Sequence, residues 1–461
     1  MRLFVRDKGF YKNTAAIAIP IALQSMITIG VNLMDNIMVG TLAETTISAV
    51  AQANQFVTLY HICCMGIGMG ASVLVARFWG MKDIPSLKTI VTIMLRFCAG
   101  LGLLFTLATA FIPDQIMRLY IDDADVIAQG VLYFRYMIPC YLLLGLSLTC
   151  TITLRSVGQV RLPLITSIGA FFLNVGGNYI FIFGKFGAPR MGIEGAALGT
   201  LIARIFEFSV ICGYFLFFDK RIGYRFRDLF MKCRSLLRDY VSVSLPVFVS
   251  DTLLALGNSA IAIVMGQIGK SFVSANSITV VTQQLSTVLI QGICQAGSIV
   301  TGHTLGEGKK EKAQEQAWTF LMLGVIIGAI GGFIILAISG PVINFYNITE
   351  ETRAIAFQLM AAIALIIMFQ SMNSIMTKGV LRGGGDTKFL MVADILFLWI
   401  VSIPLGALAG LVWHMSAFWI YVFLKLDQVI KAVWCVFRLK SGKWIKVIQS
   451  RESGPHEADG S

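Results

Sequence analysis

Residues 154–163 read LRSVGQVRLP, and residues 381–390 read LRGGGDTKFL, 227 positions further along the chain. Each segment follows a long apolar run and places a glycine-containing turn between two basic residues. Earlier positions agree at an offset of 226; the matched pairs are Gly66 and Gly292, Ser72 and Ser298, Gly80 and Gly306, Pro20 and Pro246, and Gly40 and Gly266. One nearly constant offset over this length indicates that the chain contains two related halves.

Apolar composition places these halves in a membrane. Of the 461 residues, 56% are hydrophobic and only 13% are charged, whereas a soluble domain carries about 25% charged residues. Runs of about 20 or more apolar residues recur, and each can cross a hydrocarbon core of about 30 Å as a helix. Twelve such runs are predicted, at 14–40, 47–77, 88–112, 127–154, 161–184, 191–217, 241–268, 272–303, 315–340, 354–381, 388–413 and 416–437.

Lysine and arginine residues lie mainly on alternate connections, and the richest segment runs from Lys220 to Arg238. Cytoplasmic loops retain such residues, so we expect a multi-pass protein of the inner (plasma) membrane with both termini in the cytoplasm. The net charge of +12 is spread over these loops, and no nucleic-acid partner is expected. The first apolar run is too long for a cleavable signal peptide.

Six runs precede the basic linker and six follow it, so the two halves have the same orientation. We expect an N-terminal lobe at 1–217, a cytoplasmic linker at 218–239, a C-terminal lobe at 240–437 and a largely disordered cytoplasmic tail at 438–461. The predicted fold is an all-α integral membrane protein with twelve transmembrane helices in two six-helix lobes related by a pseudo-twofold axis. Transport sites in such repeats lie at or near the interface of the halves. Small-residue runs such as GAALG and GAIGG predict close helix packing.

Asp35 is the acid in the apolar stretch VNLMDNIMVG, residues 31–40. A carboxylate near the bilayer centre costs about 2.5–3.5 kcal/mol on insertion scales, which points to a function. Burial disfavours its charged form and a nearby cation favours it, so Asp35 could hold a proton or sodium ion and release it when cargo enters. Alternatively, it reaches the outer interface or caps a neighbouring helix. Its counterpart in the second half is Ile261, so the fold itself does not require the acid.

Several stretches together resemble the multidrug and toxic compound extrusion (MATE) family over about residues 10–437. They are PIALQSMITIGVNLMDNIMVG from Pro20, NYIFIFG followed by GIEGAALGT, the paired second helices, and LRGGGDTK. The resemblance implies a secondary antiporter with a large central cavity. Such a protein exports organic cations or amphipathic drugs in exchange for sodium ions or protons by alternating access.

Asn174 and Asn178 lie one turn apart in FFLNVGGNYI and share a helix face. The resemblance implies that polar residues matching these two positions and Thr200 gather near Asp35, with a possible sodium site at Asp35, Asn174 and Asn178. Some relatives carry an aspartate at the position of Asn178, which leaves the choice of ion open. The alternative is an interhelical hydrogen-bond pair that serves packing.

The second half departs from the family branch that carries extra acids, because Leu254 and Ser371 occupy those positions. Asp251 lies one turn before Leu254, and we consider Asp251 and Ser371 a possible second ion or drug site. A structural polar contact is the alternative. Coupling is therefore expected in the first half. Predicted cavity-lining residues are Tyr136, Gln283, Gln284, Gln291 and Asn373.

Other charges in the apolar runs are given structural roles. Arg204 and Glu207 are spaced i, i+3 and predict an ion pair. Lys378 and Arg382 are interpreted as anchors at the inner interface. Asp394 lies six residues beyond Lys388, near the predicted cytoplasmic face, where a gating or snorkelling role is expected.

Other functions remain open. A lipid-linked oligosaccharide flippase would need cations in its cavity, and Arg96, Arg135 and Lys378 are the only deep ones that we expect. An intramembrane enzyme is disfavoured, because His61, His303, His414 and His456 form no catalytic spacing and no phosphate-binding loop occurs. A channel fits repeated halves and one buried acid less well than gated exchange. We expect a monomer in the lipid bilayer, carrying small amphipathic or cationic substrates, without a cofactor apart from the coupling ion.

Overall fold

A computed structural model describes residues 4–346 and 348–446, and in those residues the chain is helical with no β-strand. Eleven helices are long and apolar enough to cross a membrane within these two ranges. They are α1 (Lys8–Val39), α2 (Glu44–Met81), α3 (Ile84–Phe111), α4 (Ala124–Ser156), α5 (Arg161–Phe183), α6 (Ile193–Phe218), α7 (Arg234–Ile268), α8 (Lys270–Gly306), α9 (Lys310–Phe345), α10 (Glu350–Leu381) and α11 (Thr387–Val412). The prediction of an all-α, multi-pass membrane protein is confirmed.

The last predicted membrane run forms two helices instead of one. Helix α12 (Ala417–Leu424) and helix α13 (Leu426–Lys440) meet at Lys425, whose φ of −114° and ψ of 17° interrupt the helical geometry. The Ser402 hydroxyl of α11 accepts a 2.6 Å hydrogen bond from the Asp427 backbone amide just after the break. This bond satisfies one of the backbone donors that the break leaves without a helical partner.

Several membrane helices contain π-helical turns, in which the backbone hydrogen bonds span five residues. These turns occupy Tyr214–Phe218, Ile375–Leu381, Ile395–Ser402 and Leu408–Val412. Single π-turns are frequent at functional sites in helices. The turn at Ile375–Leu381 places Thr377 and Lys378 on the wall of a cavity described below.

The described residues form two compact units. The first comprises 23–75 and 84–244, and the second comprises 4–22, 76–83 and 245–446. The first unit packs a core of aromatic and small side chains, including Phe134 of α4 against Ala49 and Ala197. The predicted division at 218–239, into two lobes related by a pseudo-twofold axis, stays a prediction.

In the second unit, α9 and α10 approach each other closely. A methyl group added at Gly328 would lie 2.6 Å from the Met368 Cα atom, and one added at Gly324 would lie 3.1 Å from that of Met372. Any larger side chain at Gly328 would force the helices apart. The prediction that GAIGG forms a packing seam is confirmed.

Residues after α13 fold back onto the second unit. Trp444 is fully buried, and its indole Nε1 donates a 2.7 Å hydrogen bond to Gln314 Oε1. Its ring occupies the space that a side chain at Gly384 would need. The expected disorder of the tail concerns mainly residues 447–461, which lie outside the described residues, whereas 438–446 are ordered.

Candidate functional site in the first unit

The first-helix acid contacts α5. Asp35 is half-buried one turn before the end of α1, and its Oδ1 accepts a 2.6 Å hydrogen bond from Asn178 Nδ2. Asn178 itself is almost fully buried. A short bond from an amide to a carboxylate is of the stronger, charge-assisted kind. The structure thus brings together two of the residues that were predicted to form the site.

Glycines on α6 let Asn178 reach this position. A methyl group at Gly199 would collide with the Asn178 side-chain oxygen and lie 2.8 Å from its backbone nitrogen. On α5, a methyl group at Gly177, the residue before Asn178, would lie 3.0 Å from the Gly199 Cα atom. The sequence GAALGT therefore provides a flat helix surface on which α5 lies, as small-residue motifs do in membranes.

The other two predicted residues complete a polar cluster. Asn174 Nδ2 donates to the Thr200 hydroxyl at 3.4 Å, and this hydroxyl donates to the Ala196 carbonyl at 3.1 Å. Asn174 also interacts with the Asp35 carboxylate. The side-chain oxygens of Asn174 and Asn178 are buried and accept no hydrogen bond within the described part of the chain. The cluster thus offers unused oxygen ligands beside one carboxylate.

Oxygen ligands suit hard cations, and a single carboxylate suits a single positive charge. Among residues 4–346 and 348–446, no group of three or more His, Cys, Asp or Glu side chains could hold a metal ion. The chemistry of the cluster fits a proton or a monovalent cation.

A charged pair adjoins the cluster. Arg204 Nη1 lies 2.6 Å from Glu207 Oε2, so the predicted i, i+3 ion pair is confirmed. The Arg204 charge also acts on Asp35 and on His61. Sequence analysis did not connect Arg204 with Asp35, because the two residues are 169 positions apart and no spacing pattern predicts that they lie close together.

Acidic residues of the second unit

Asp251, the second candidate acid, pairs with a buried arginine. Arg382 Nη2 lies 2.9 Å from Asp251 Oδ1, and Arg382 Nη1 lies 3.4 Å from Oδ2. The arginine side chain is only 5% exposed. The interpretation of Arg382 as an interface anchor was therefore wrong, since the Asp251 carboxylate compensates its charge inside the protein.

Asp394 belongs to a buried network that sequence reasoning missed. Lys431 Nζ lies 2.9 Å from Asp394 Oδ1 and 2.9 Å from Asp427 Oδ2. The Ser250 hydroxyl donates a hydrogen bond to Asp394 Oδ2. Asp427 and Lys431 have the i, i+4 spacing of a helical ion pair, and this spacing in LDQVIK was the available signal.

The remaining predicted residues have different surroundings. Ser371 is fully buried and packs beside Gly328 of α9, whereas Asp251 faces Arg382. Gln283 donates a 3.0 Å hydrogen bond to Gln370, while Gln284 and Gln291 are exposed and Tyr136 is half-buried. Asn373 lines a cavity of about 160 Å³. Asn373 Nδ2 donates a 2.8 Å hydrogen bond to Gln428 there.

More cationic side chains lie between the packed helices than the sequence analysis predicted. Arg155 donates to Gln24 Oε1 at 2.5 Å in the first unit, and Arg382 and Lys431 are buried in the second. The expectation that only Arg96, Arg135 and Lys378 lie deep was wrong. These cations make anionic cargo less unfavourable than the sequence analysis indicated.

Similarity to known proteins

Residues 20–180 and 246–408 match the sequence profile of the MatE family. The chain is 22% identical over 440 residues to a probable multidrug resistance protein NorM of Thermotoga maritima, covering 94% of this chain and 93% of the relative. It is 23% identical over 411 residues to the multidrug resistance protein PmpM of Pseudomonas aeruginosa, covering 88% and 85%.

Solved structures show the same fold. A crystal structure of MATE in complex with MaD3S superposes with a TM-score of 0.84 at 19% identity, covering 94% of this chain and 96% of the other. A transporter of the MOP superfamily from Pyrococcus furiosus, described as having reverse polarity of its binding pocket, superposes with a TM-score of 0.82 over 94% and 96% of the two chains. Its identity is also 19%.

Eleven membrane-length helices in the described residues and the match to this family and its multidrug resistance relatives identify a multi-pass membrane transporter, not an enzyme. Both halves of the chain match one family profile, over residues 20–180 and 246–408. The protein belongs to the MatE family, and the resemblance identified from its sequence is confirmed.

Proposed function

We propose that this protein is a secondary antiporter that exports organic cations or amphipathic drugs in exchange for sodium ions or protons by alternating access. The observation that carries this proposal is the 2.6 Å hydrogen bond from Asn178 to Asp35, which holds one carboxylate beside unused amide oxygens. The printed names of the NorM and PmpM relatives, as multidrug resistance proteins, support small-molecule cargo.

In the proposed mechanism, Asp35 binds the coupling ion and the cargo by turns. Asn178 orients the carboxylate, and Asn174 and Thr200 supply further oxygens for a sodium ion. A proton would instead bind the Asp35 carboxylate directly. The cargo and the coupling ion then compete for the negative charge of Asp35. This competition couples the export of cargo to the entry of the ion.

We also propose the membrane, the topology and the oligomeric state of the protein. The inner membrane and cytoplasmic termini are proposed from the charge pattern of the loops, and the protein is proposed to be a monomer. Asp251, Ser371, Tyr136, Gln283, Gln284, Gln291 and Asn373 are kept as proposed contributors to ion, drug or cavity contacts. The 2.9 Å pair with Arg382 favours a structural role for Asp251.

Reconstituted liposomes test the proposal. A sodium or proton gradient is imposed separately, and movement of a cationic dye is followed for the wild type, Asp35→Asn and Asp122→Asn. Asp122 is an exposed aspartate of the same unit and serves as the matched control. We expect one gradient to drive the wild type and the control, and neither gradient to drive Asp35→Asn. Normal exchange by Asp35→Asn would reject this carboxylate as the coupling group.

A lipid-linked oligosaccharide flippase is the second candidate, and Lys378 and Lys425, which line the same cavity as Asn373, favour it. Such cargo carries phosphate, which arginine and lysine bind well. The same liposomes distinguish the candidates. A flippase would translocate a labelled lipid pyrophosphate and leave the cationic dye unmoved under either gradient.

A further inference from the structure

The second unit contains a cavity of about 160 Å³ that the proposed exchange at Asp35 does not use. Polar and charged side chains from α7, α10, α11, α12 and α13 or their junctions line it, among them Asn258, Asn373, Lys378, Lys425, Gln428 and Lys431. A volume of this size accommodates the charged end of an organic molecule. Polar groups this dense inside a membrane protein are costly and mark a binding or transport role.

The charges around this cavity do not balance. Asp251 is paired with Arg382, and Asp394 and Asp427 share Lys431. Lys378 and Lys425 remain, and neither forms an ion pair in the described ranges. Three carboxylates therefore face four cations, which leaves a net positive charge at the wall of the cavity.

Hydrogen-bond donors with few partners also indicate that the cavity wall favours a negatively charged ligand. Among the described residues, Lys425 Nζ donates to the Asn258 side-chain oxygen alone, at 3.2 Å. Arg382 is 4% exposed, and its Nε is buried without a hydrogen-bond partner in the described part of the molecule. Burying a donor without a partner costs about 1–3 kcal/mol. A ligand that accepts hydrogen bonds would recover this energy.

The helix break adds a second source of positive potential. Helix α13 begins at Leu426, beside Lys425, so its amino-terminal end lies at the cavity. The amino-terminal ends of interrupted membrane helices commonly face the anionic group of a transported solute. The oxygens Asn373 Oδ1 and Asp427 Oδ1 are buried and have no hydrogen-bond partner in residues 4–346 and 348–446, so they can accept a hydrogen bond from the same ligand.

We propose that this cavity binds the carboxylate of an organic solute, with Lys378 and Lys425 as its cationic contacts. Arg382 Nε contributes a further donor, and a ligand N–H or O–H meets Asn373 or Asp427. The protein thereby accepts a class of anionic cargo at a site separate from Asp35. The transport of this cargo rests on the proposed export function, whereas its binding does not.

Binding is measured on the purified full-length protein in detergent. The probes are 7-(diethylamino)coumarin-3-carboxylate and its carboxamide, which differ by one negative charge, and the readout is fluorescence anisotropy. We expect the acid to bind about tenfold tighter than the amide, as hydrogen bonds to charged groups allow. Lys378→Met and Lys425→Met should each remove most of this preference while amide binding stays unchanged. Equal affinity of acid and amide for the wild type would overturn the proposal.

Control variants make the result specific. Lys443 is an exposed lysine of the same unit, and Lys443→Met should keep the full preference for the acid. Lys425→Arg should restore part of it, and monodispersity on size exclusion shows which variants fold. If Lys443→Met loses the preference as fully as the other two variants, the site is rejected.

Two further arms separate the alternatives. Asp35→Asn should bind the acid with wild-type affinity, because the two sites are separate. Loss of acid binding in the lysine variants would therefore not test exchange at Asp35, and loss of exchange in Asp35→Asn would not test acid binding. Competition with benzoate and with dihexanoylphosphatidylglycerol distinguishes a solute from a lipid headgroup. Displacement by benzoate supports the proposal. Displacement by the lipid alone assigns the cavity to a headgroup and overturns it.

Discussion

The acids of the two units lie in opposite electrostatic settings. Asp35 receives a hydrogen bond from a neutral amide and is half-buried. Asp251, Asp394 and Asp427 each lie 2.9 Å from a buried arginine or lysine. A carboxylate that already has a cation at 2.9 Å gains little from another, whereas Asp35 accepts hydrogen bonds from amides, forms no salt bridge among the described residues and remains able to bind a cation. The comparison favours Asp35 as the exchanging acid.

The largest expected effect comes from breaking the paired network. Lys431→Met leaves Asp394 and Asp427 buried without their shared cation, which should cost about 3–5 kcal/mol of unfolding free energy. Denaturant-induced unfolding in detergent micelles measures this loss. The double-neutral variant Asp394→Asn/Lys431→Met should recover part of it. Wild-type stability of Lys431→Met would contradict the assignment of a buried ion network.

Removing the amide partner of Asp35 should have the next largest effect. Asn178→Ala deletes a bond to a charged group, worth about 1.5–3 kcal/mol, whereas Asn174→Ala deletes a 3.4 Å bond between neutral groups, worth about 0.5–1.5 kcal/mol. Ion affinity, measured by the gradient dependence of dye exchange, should fall further in Asn178→Ala. A reversed order would assign the stronger contact to Asn174.

Gly199→Ala tests whether backbone contact positions Asn178. The added methyl group would lie 2.8 Å from the Asn178 nitrogen, and overpacking of this kind costs about 1–3 kcal/mol. We expect reduced exchange with a folded protein. Gly213 lies on the same helix with no atom within 4 Å of an added methyl group, so Gly213→Ala is the control. Equal activity of the two variants would remove the packing argument.

The smallest effect should come from an exposed ion pair. Lys309 and Glu307 are separated by 2.6 Å, but their side chains are 56% and 46% exposed. Exposed pairs contribute about 0–1 kcal/mol, so Lys309→Met should change stability little in the same unfolding assay. A loss as large as that of Lys431→Met would show that burial does not decide the strength of these pairs.

The fold could be predicted from the sequence because apolar length alone determines which segments cross a membrane. The break at Lys425 was not predicted, since the predicted run 416–437 joined the apolar AFWIYVFL to the more polar LDQVIK that follows the lysine. The hydrophobicity of a run does not report whether its backbone continues as one helix.

The candidate site was only partly predictable. Asp35 was identified by its unfavourable charge, and the family resemblance added Asn178. Arg382 and Lys431 were not identified as partners of Asp251 and Asp394, because these acids lie 131 and 37 positions away. Pairing over such separations depends on how helices pack, and a basic residue near a predicted helix end has the same appearance whether it is buried or reaches the interface.

The burial of Trp444 has a practical consequence for spectroscopy. Its indole is enclosed and hydrogen-bonded to Gln314, and the chain contains seven tryptophans. An enclosed indole emits at shorter wavelength than one in water, so release of residues 441–446 would shift its emission to the red. The substitution Trp444→Phe would remove this emission. The difference in fluorescence between the wild type and Trp444→Phe would then show, in each equilibrium titration, whether residues 441–446 stay packed against the second unit.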